Sequence, residues 1–226
     1  RIASEAITLV KDLKGLVPIN ASPKDTLYII DIYDQEYKHS RSTVASKIIS
    51  ERIPVRAIQV DESDKKPILD VIVKSIPKNS QILINAFVSP KEWKDRIFFP
   101  DNETYFVREL IKKSDRIILA SLGTPYLLQD FPKVSTYLCA YNGSYLMQNA
   151  LANALLGSKD ISGRLPISIP GLHEIGSGMF KEMKEKVEKI SEYKPGIEVK
   201  RVLPEAVGAN NNYIERFMES AIKDSA

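Results

Sequence analysis

Short apolar runs alternate with amphipathic stretches along most of this chain, and that alternation constrains its fold more than any other feature. Thr26–Ile32 (TLYIIDI), Pro54–Val60 (PVRAIQV), Ser80–Val88 (SQILINAFV) and Arg116–Leu122 (RIILASL) are rich in β-branched and aromatic residues and read as strands. Between them, Val44, Ile48 and Ile49 predict a helix over Glu36–Glu51. Ile68, Leu69, Ile72 and Ile76 predict another, closed by Pro77. Phe106, Val107, Leu110 and Ile111 form a helical stripe in Thr104–Lys113. Helices are also expected over about Lys133–Tyr141 and Ser144–Leu156, the latter stopped by Gly157. Strand–helix alternation at this spacing gives right-handed βαβ units, and near-continuous apolar strands fit a sheet covered on both faces. The expected fold class is α/β, a three-layer αβα sandwich with a mostly parallel sheet. The opening segment differs. Ile7–Val10 and Leu16–Ile19 flank Lys11-Asp12-Leu13-Lys14-Gly15 and suggest a short hairpin.

After Gly171 the chain changes character. Phe180–Glu192 interleaves Lys and Glu around Phe180, Met183, Val187 and Ile190, a solvated amphipathic helix broken by Pro195-Gly196. Residues 1–178 are therefore expected to form one domain, and residues 179–226 a helix and linker. The start at Arg1-Ile2-Ala3-Ser4 reads as mid-domain, which makes a fragment or processed product the expectation.

Bulk numbers exclude several classes. Lys plus Arg is 32 against 29 for Asp plus Glu, a surplus too small and too dispersed to predict nucleic-acid binding. No apolar run is long enough to span a membrane. Cys139 is the only cysteine, so no intrachain disulfide can form. In the predicted Lys133–Tyr141 helix it reads as a buried structural thiol rather than a nucleophile.

Self-sufficient catalysis has no signature here. There is no G-x-S-x-G elbow, no phosphate-binding P-loop and no G-x-G-x-x-G after a strand. His39 and His173 are the only histidines, and neither has a partner at metal-ligand spacing, so no metal and no cofactor are expected.

Two segments carry most of the information. One is Ser4–Ile19 (SEAITLVKDLKGLVPI). The other is Ala120–Gly171. In the second, Gly123 and Pro125 break the fourth strand, Asp130 is a plausible N-cap for a helix entered through Phe131-Pro132, and Gly163-Arg164-Leu165-Pro166 leads into a short strand, Ile167–Ile169. Taken alone, these are turn chemistry and core.

Together they resemble the C-terminal α/β sandwich domain of glycoside hydrolase family 3. That family writes a phrase like A-x-x-S-I-T-L-V-K-N … L-P-L where the domain begins, and N-P-Y-x-L-x-D-F-P … A-Y followed by A-L-x-G … G-R-L-P-V-S-I-P. Here these stand as Ser4–Ile19, Thr124–Tyr141 and Ala152–Pro170, with Thr124 in place of the usual Asn. The resemblance runs from Arg1 to Gly171, although Asp31–Ser114 matches only in pattern. Its phrasing is most similar to the β-N-acetylhexosaminidase branch.

The resemblance implies a bacterial exo-glycosidase parent, exported to the periplasm or outside the cell and acting on cell-wall carbohydrate. Retaining glycosidases need a nucleophile and an acid/base. In this family the nucleophile sits on an N-terminal (β/α)8 barrel, and in the hexosaminidase branch a barrel loop also carries the acid/base. This chain would then hold no catalytic residue and would dock on that barrel, its partner. In the β-glucosidase branch a glutamate of the C-terminal domain is the acid/base, and the only candidates are Glu92 and Glu103, each with solvated loop carboxylate as its ordinary reading. A stand-alone ligand- or protein-binding module is the alternative from another class.

In open α/β sheets the functional edge lies beyond the carboxyl ends of the strands. The loops expected there are Tyr33–Thr43, Val88–Asn102 and Leu122–Asp130. They offer Tyr33, Asp34, His39, Arg41, Trp93, Phe98, Phe99 and Tyr126 as substrate- or barrel-facing residues. Trp93, Phe98 and Phe99 are read as a docking patch in preference to sugar contacts. Arg164 reads as a loop-fixing donor. Leu203–Ala226 looks like the lead-in of a serine β-lactamase or penicillin-binding-type domain, which would start beyond residue 226.

Overall fold

The computed structural model describes residues 2–20, 26–33, 44–88 and 99–183. Among the described residues six strands form one sheet: β1 (Thr8–Asp12), β2 (Leu27–Tyr33), β3 (Val55–Asp61), β4 (Ile82–Phe87), β5 (Ile117–Ser121) and β6 (Thr136–Cys139). Their order is β1-β6-β5-β4-β2-β3. All neighbours are parallel except β1 and β6. The helices are α1 (Ile2–Ala6), α2 (Val44–Ser50), α3 (Lys66–Ser75), α4 (Asp101–Lys113) and α5 (Tyr145–Leu155).

The period-2 geometry of the strands divides the core between two faces. Ile29, Tyr33, Leu83, Phe87, Ile118 and Leu138 pack with α2 and α5. Ile30, Ile84, Leu119 and Tyr137 pack with Leu69 of α3 and with Phe106, Val107 and Leu110 of α4. β2, β4, β5 and β6 are buried along both faces because helices cover both, while the edge strands β1 and β3 are partly exposed, which makes this a three-layer αβα sandwich with a mostly parallel sheet. Ser144 caps α5 by accepting from the Met147 amide, and Gly157 (φ 70°) follows its carboxyl end.

Four sequence expectations need correction. The opening hairpin does not form. β1 pairs antiparallel with β6, and Leu16–Ile19 is buried without joining a strand. The helix expected over Lys133–Tyr141 is instead a turn followed by β6, so Cys139 lies in a strand. Asp130 closes rather than opens a helix, as the C-cap of a 3₁₀ turn over Pro125–Gln129. Ile167–Ile169 makes only an isolated bridge, Ile169 to His173. The expected Glu36–Glu51 helix is described only from Val44, and the Phe180–Glu192 stretch only to Met183.

Candidate functional site

The chain passes from β2 to β3 on one side and then crosses back from β3 to β4 on the other, so the strand order reverses between β2 and β4. Crevices at such reversals, beyond the carboxyl ends, are where open α/β sheets bind ligands. Tyr33 ends β2 and Phe87 ends β4, and their rings stack with centroids 4.8 Å apart and planes 12° apart. Both are buried, and among the described residues the Tyr33 hydroxyl has no hydrogen-bond partner. Burial, and then the nearby Asp31, push its pKa well above the ordinary tyrosine value.

Beneath this stack lies a buried polar cluster. Parallel register sets Asp31 of β2 beside Asn85 of β4, with both side chains on the α2 face. The Asn85 amide donates to Asp31 Oδ1 at 2.7 Å, and Ser46 Oγ of α2 lies 3.3 and 3.1 Å from the two carboxylate oxygens. Among the described residues Asn85 Oδ1 accepts no hydrogen bond. The cluster ties the start of α2 to β2 and β4 at the reversal point.

Further along the same rim, the two informative sequence segments meet. Thr8 Oγ1 donates to the Ala6 carbonyl, so the Tyr141 hydroxyl, 2.7 Å away, donates to Thr8. Burial pushes the Tyr141 hydroxyl up to about 12. Tyr141 has φ 63°, a conformation that costs a non-glycine residue about 1 kcal/mol. Gly163 donates from its amide to the Ile7 carbonyl at 3.2 Å, and a Cβ there would sit 2.6 Å from Thr8 Oγ1 and 2.7 Å from the Ala6 carbonyl. Arg164 donates to the Gly178 carbonyl, the loop-fixing contact expected of it. The start of β1, the end of β6 and the Gly163-Arg164 turn are thus one junction.

The rim residues singled out from sequence fall into three groups. Asp34, His39, Arg41, Glu92, Trp93 and Phe98 lie outside the described residues. Tyr33 and Phe99 are buried in the domain's own core, Phe99 against Phe131 at 6.1 Å, so neither supplies exposed docking surface. Tyr126 is half-buried. Glu103 is not a solvated loop carboxylate. It lies in the first turn of α4, 1% exposed, on the stripe that buries Phe106, Val107 and Leu110.

Sequence reading missed the large apolar groups that are exposed at this rim. Tyr145 and Leu146, at the start of α5, are 64% and 68% exposed, and Ile2 of α1 is 84% exposed. α5 starts just after the carboxyl end of β6. α1 leads into Thr8, which pairs with Cys139 at that same end.

A groove of about 280 Å³ lies at the opposite end of the sheet, between β1 and the 3₁₀ turn, lined chiefly by Val10, Leu13, Leu128, Pro132, Leu172 and Met179. Among the described residues no group of His, Cys, Asp and Glu could hold a metal ion, and no helix is long and apolar enough to cross a membrane. Cys139 is fully buried, and burial pushes its thiol up to about 12. The native chain should therefore resist Ellman's reagent and react once unfolded. Rapid labelling of the folded protein would refute the structural role.

No family model and no curated protein matches the chain. Solved structures do. A fungal multi-domain glycoside hydrolase family 3 β-N-acetylglucosaminidase is similar with a TM-score of 0.59 at 21% identity, over 77% of this chain and 19% of that one. A family 3 β-N-acetylglucosaminidase from Paenibacillus sp. str. FPU-7 gives 0.58 at 17% identity, over 75% and 31%. A β-glucoside phosphorylase gives 0.53 at 23% identity, over 75% and 30%. The chain thus spans less than a third of each of these proteins, and it has the fold of a domain found within glycoside hydrolase family 3 enzymes.

Proposed function

We propose that this chain is the C-terminal domain of a family 3 glycoside hydrolase of the β-N-acetylhexosaminidase type. In this reading it carries no catalytic residue. It docks on an N-terminal (β/α)8 barrel and forms one wall of a carbohydrate cleft at the seam. The observation that carries the reading is the fold match to domains of family 3 enzymes, two of them β-N-acetylglucosaminidases, over three quarters of this chain. The junction of Thr8, Tyr141 and Gly163 adds support, because it joins the two segments whose phrasing resembles that family. Burial of Glu103 favours a non-catalytic role for it, since an acid/base must reach the glycosidic oxygen.

The exposed Ile2, Tyr145 and Leu146 are the proposed docking patch. The chain alone should hydrolyse no nitrophenyl N-acetylglucosaminide. Mixed with the barrel of its parent, it should bind and restore turnover. Leu146→Asp should weaken that association by about ten- to a hundred-fold, the range expected for losing one buried leucine. Turnover by the contaminant-free chain alone would refute the non-catalytic assignment. Unchanged association of the Leu146 variant would move the interface elsewhere.

A further inference from the structure

We propose that Glu103 is a proton-operated latch, which holds the head of α4 closed while its carboxyl is neutral and releases it as pH rises. Glu103 is 1% exposed, and among the described residues neither side-chain oxygen has a hydrogen-bond partner. Buried carboxyls normally have partners, so an orphaned one needs a physical account. Its place in the sequence forces the burial. In an α-helix, residues three and four apart share a face, and Glu103 continues the stripe of Phe106, Val107 and Leu110 that packs on the sheet.

Among the described residues, the charges that act on Glu103 are carboxylates. They come from Glu62, Asp64 and Asp61, at the end of β3 and in the turn after it. That turn is fixed by its own hydrogen bonds: the Ser63 amide donates to Asp61 Oδ1 at 2.8 Å, and the Asp61 amide to Asp64 Oδ2 at 3.0 Å. The one influence favouring the charged form is Glu103's own backbone amide at the helix start, which hydrogen-bonds neither oxygen. Desolvation outweighs it, and the carboxyl titrates above the ordinary glutamate range.

Because the folded pKa is raised, the native state binds more protons than the unfolded state between the two values. The stability contributed by Glu103 is fully present below about pH 4.5 and falls as pH rises toward the folded pKa. What opens first should be local. The residue before α4, Pro100, provides no side-chain cap, so the helix head depends on packing and on the Thr104 hydroxyl donating to the Phe99 carbonyl at 3.1 Å. An ionised Glu103 would leave that packing. The head of α4 stands on the same rim as the strand-order reversal, so its opening would reshape that edge. The device needs no partner domain and stands apart from the docking reading above.

The test is backbone hydrogen exchange on the 226-residue chain and on Glu103→Gln across pH, corrected for intrinsic exchange rates. The wild-type opening constant over residues 101–107 should rise about tenfold per pH unit within the titration window, relative to the variant, as expected for one linked proton. The α5 amides should show no such rise. Equal profiles in the two proteins, or equal opening in α5, would overturn the latch. A carboxyl-carbon NMR titration of the wild-type chain needs no substitution. A Glu103 midpoint in the range of exposed glutamates would overturn the proposal as well.

Discussion

Replacing Gly123 by alanine should lower the thermal midpoint by about 6–12 °C, a larger effect than the loss of one methyl-sized space would suggest. Gly123 follows β5 directly, where the Leu122 amide donates to the Ala86 carbonyl at 2.8 Å. A Cβ at 123 would run into the Val88 carbonyl oxygen and lie only 2.8 Å from its carbon. The obstacle is backbone, so no rotamer change relieves it, and the ends of β4 and β5 must separate. They are held from several sides. Ser121 Oγ donates to the Thr124 carbonyl at 2.7 Å, and the buried Tyr137 hydroxyl to the Pro125 carbonyl at 3.0 Å. Overpacking that forces backbone shifts costs about 3 kcal/mol at the upper end of its usual range, and 1 kcal/mol moves the midpoint of a domain this size by about 2–4 °C. Gly171→Ala is the control. Gly171 has φ 76° but open space around it, so alanine there should cost only about 1 kcal/mol of conformational strain. Thermal melts followed by circular dichroism compare the two. Equal losses would show that room beside Val88 is not what position 123 requires.

The same physics separates what was legible in the sequence from what was not. β2, β4 and β5 could be read because a strand covered on both faces must be apolar almost throughout, and TLYIIDI, SQILINAFV and RIILASL are. β6 could not, because Val134, Tyr137, Leu138 and Tyr141 fit a helical stripe as well as a strand. Only the cluster Thr136-Tyr137-Leu138-Cys139 favoured the strand. β1 was assigned a local partner because a hairpin is the default for two nearby apolar runs. Its actual partner lies more than a hundred residues away, at distances periodicity does not report. Glu103 was misjudged by treating its segment as loop, although its spacing from Phe106, Val107 and Leu110 already placed it on the buried face. The polar cluster at the strand-order reversal left a usable trace. Asp31 interrupts one apolar run and Asn85 another, and two polar residues inside neighbouring central strands signal a contact between them.

That contact supports the second large effect, the loss of stability expected for Asp31→Ala. Asp31 is 1% exposed and accepts from both Ser46 Oγ and Asn85 Nδ2. Removing the carboxylate strands two buried donors. Asn85 would be left worst off, since its Oδ1 already lacks a partner and its amide would lose the bond to Asp31. Each buried polar group left unsatisfied costs about 1–3 kcal/mol, so the variant should lose about 3–5 kcal/mol, a large share of a typical domain's stability. Deleting both partners is less harmful than the sum of deleting each, because the second substitution removes a group the first has already orphaned. Asp31→Ala combined with Asn85→Ala should therefore show a coupling of about 1–3 kcal/mol in a double-mutant cycle read from urea unfolding. Strict additivity would mean that the two side chains do not support each other. The cluster would then be no more than two polar residues buried side by side, and the start of α2 would owe its position at the reversal point to apolar packing alone.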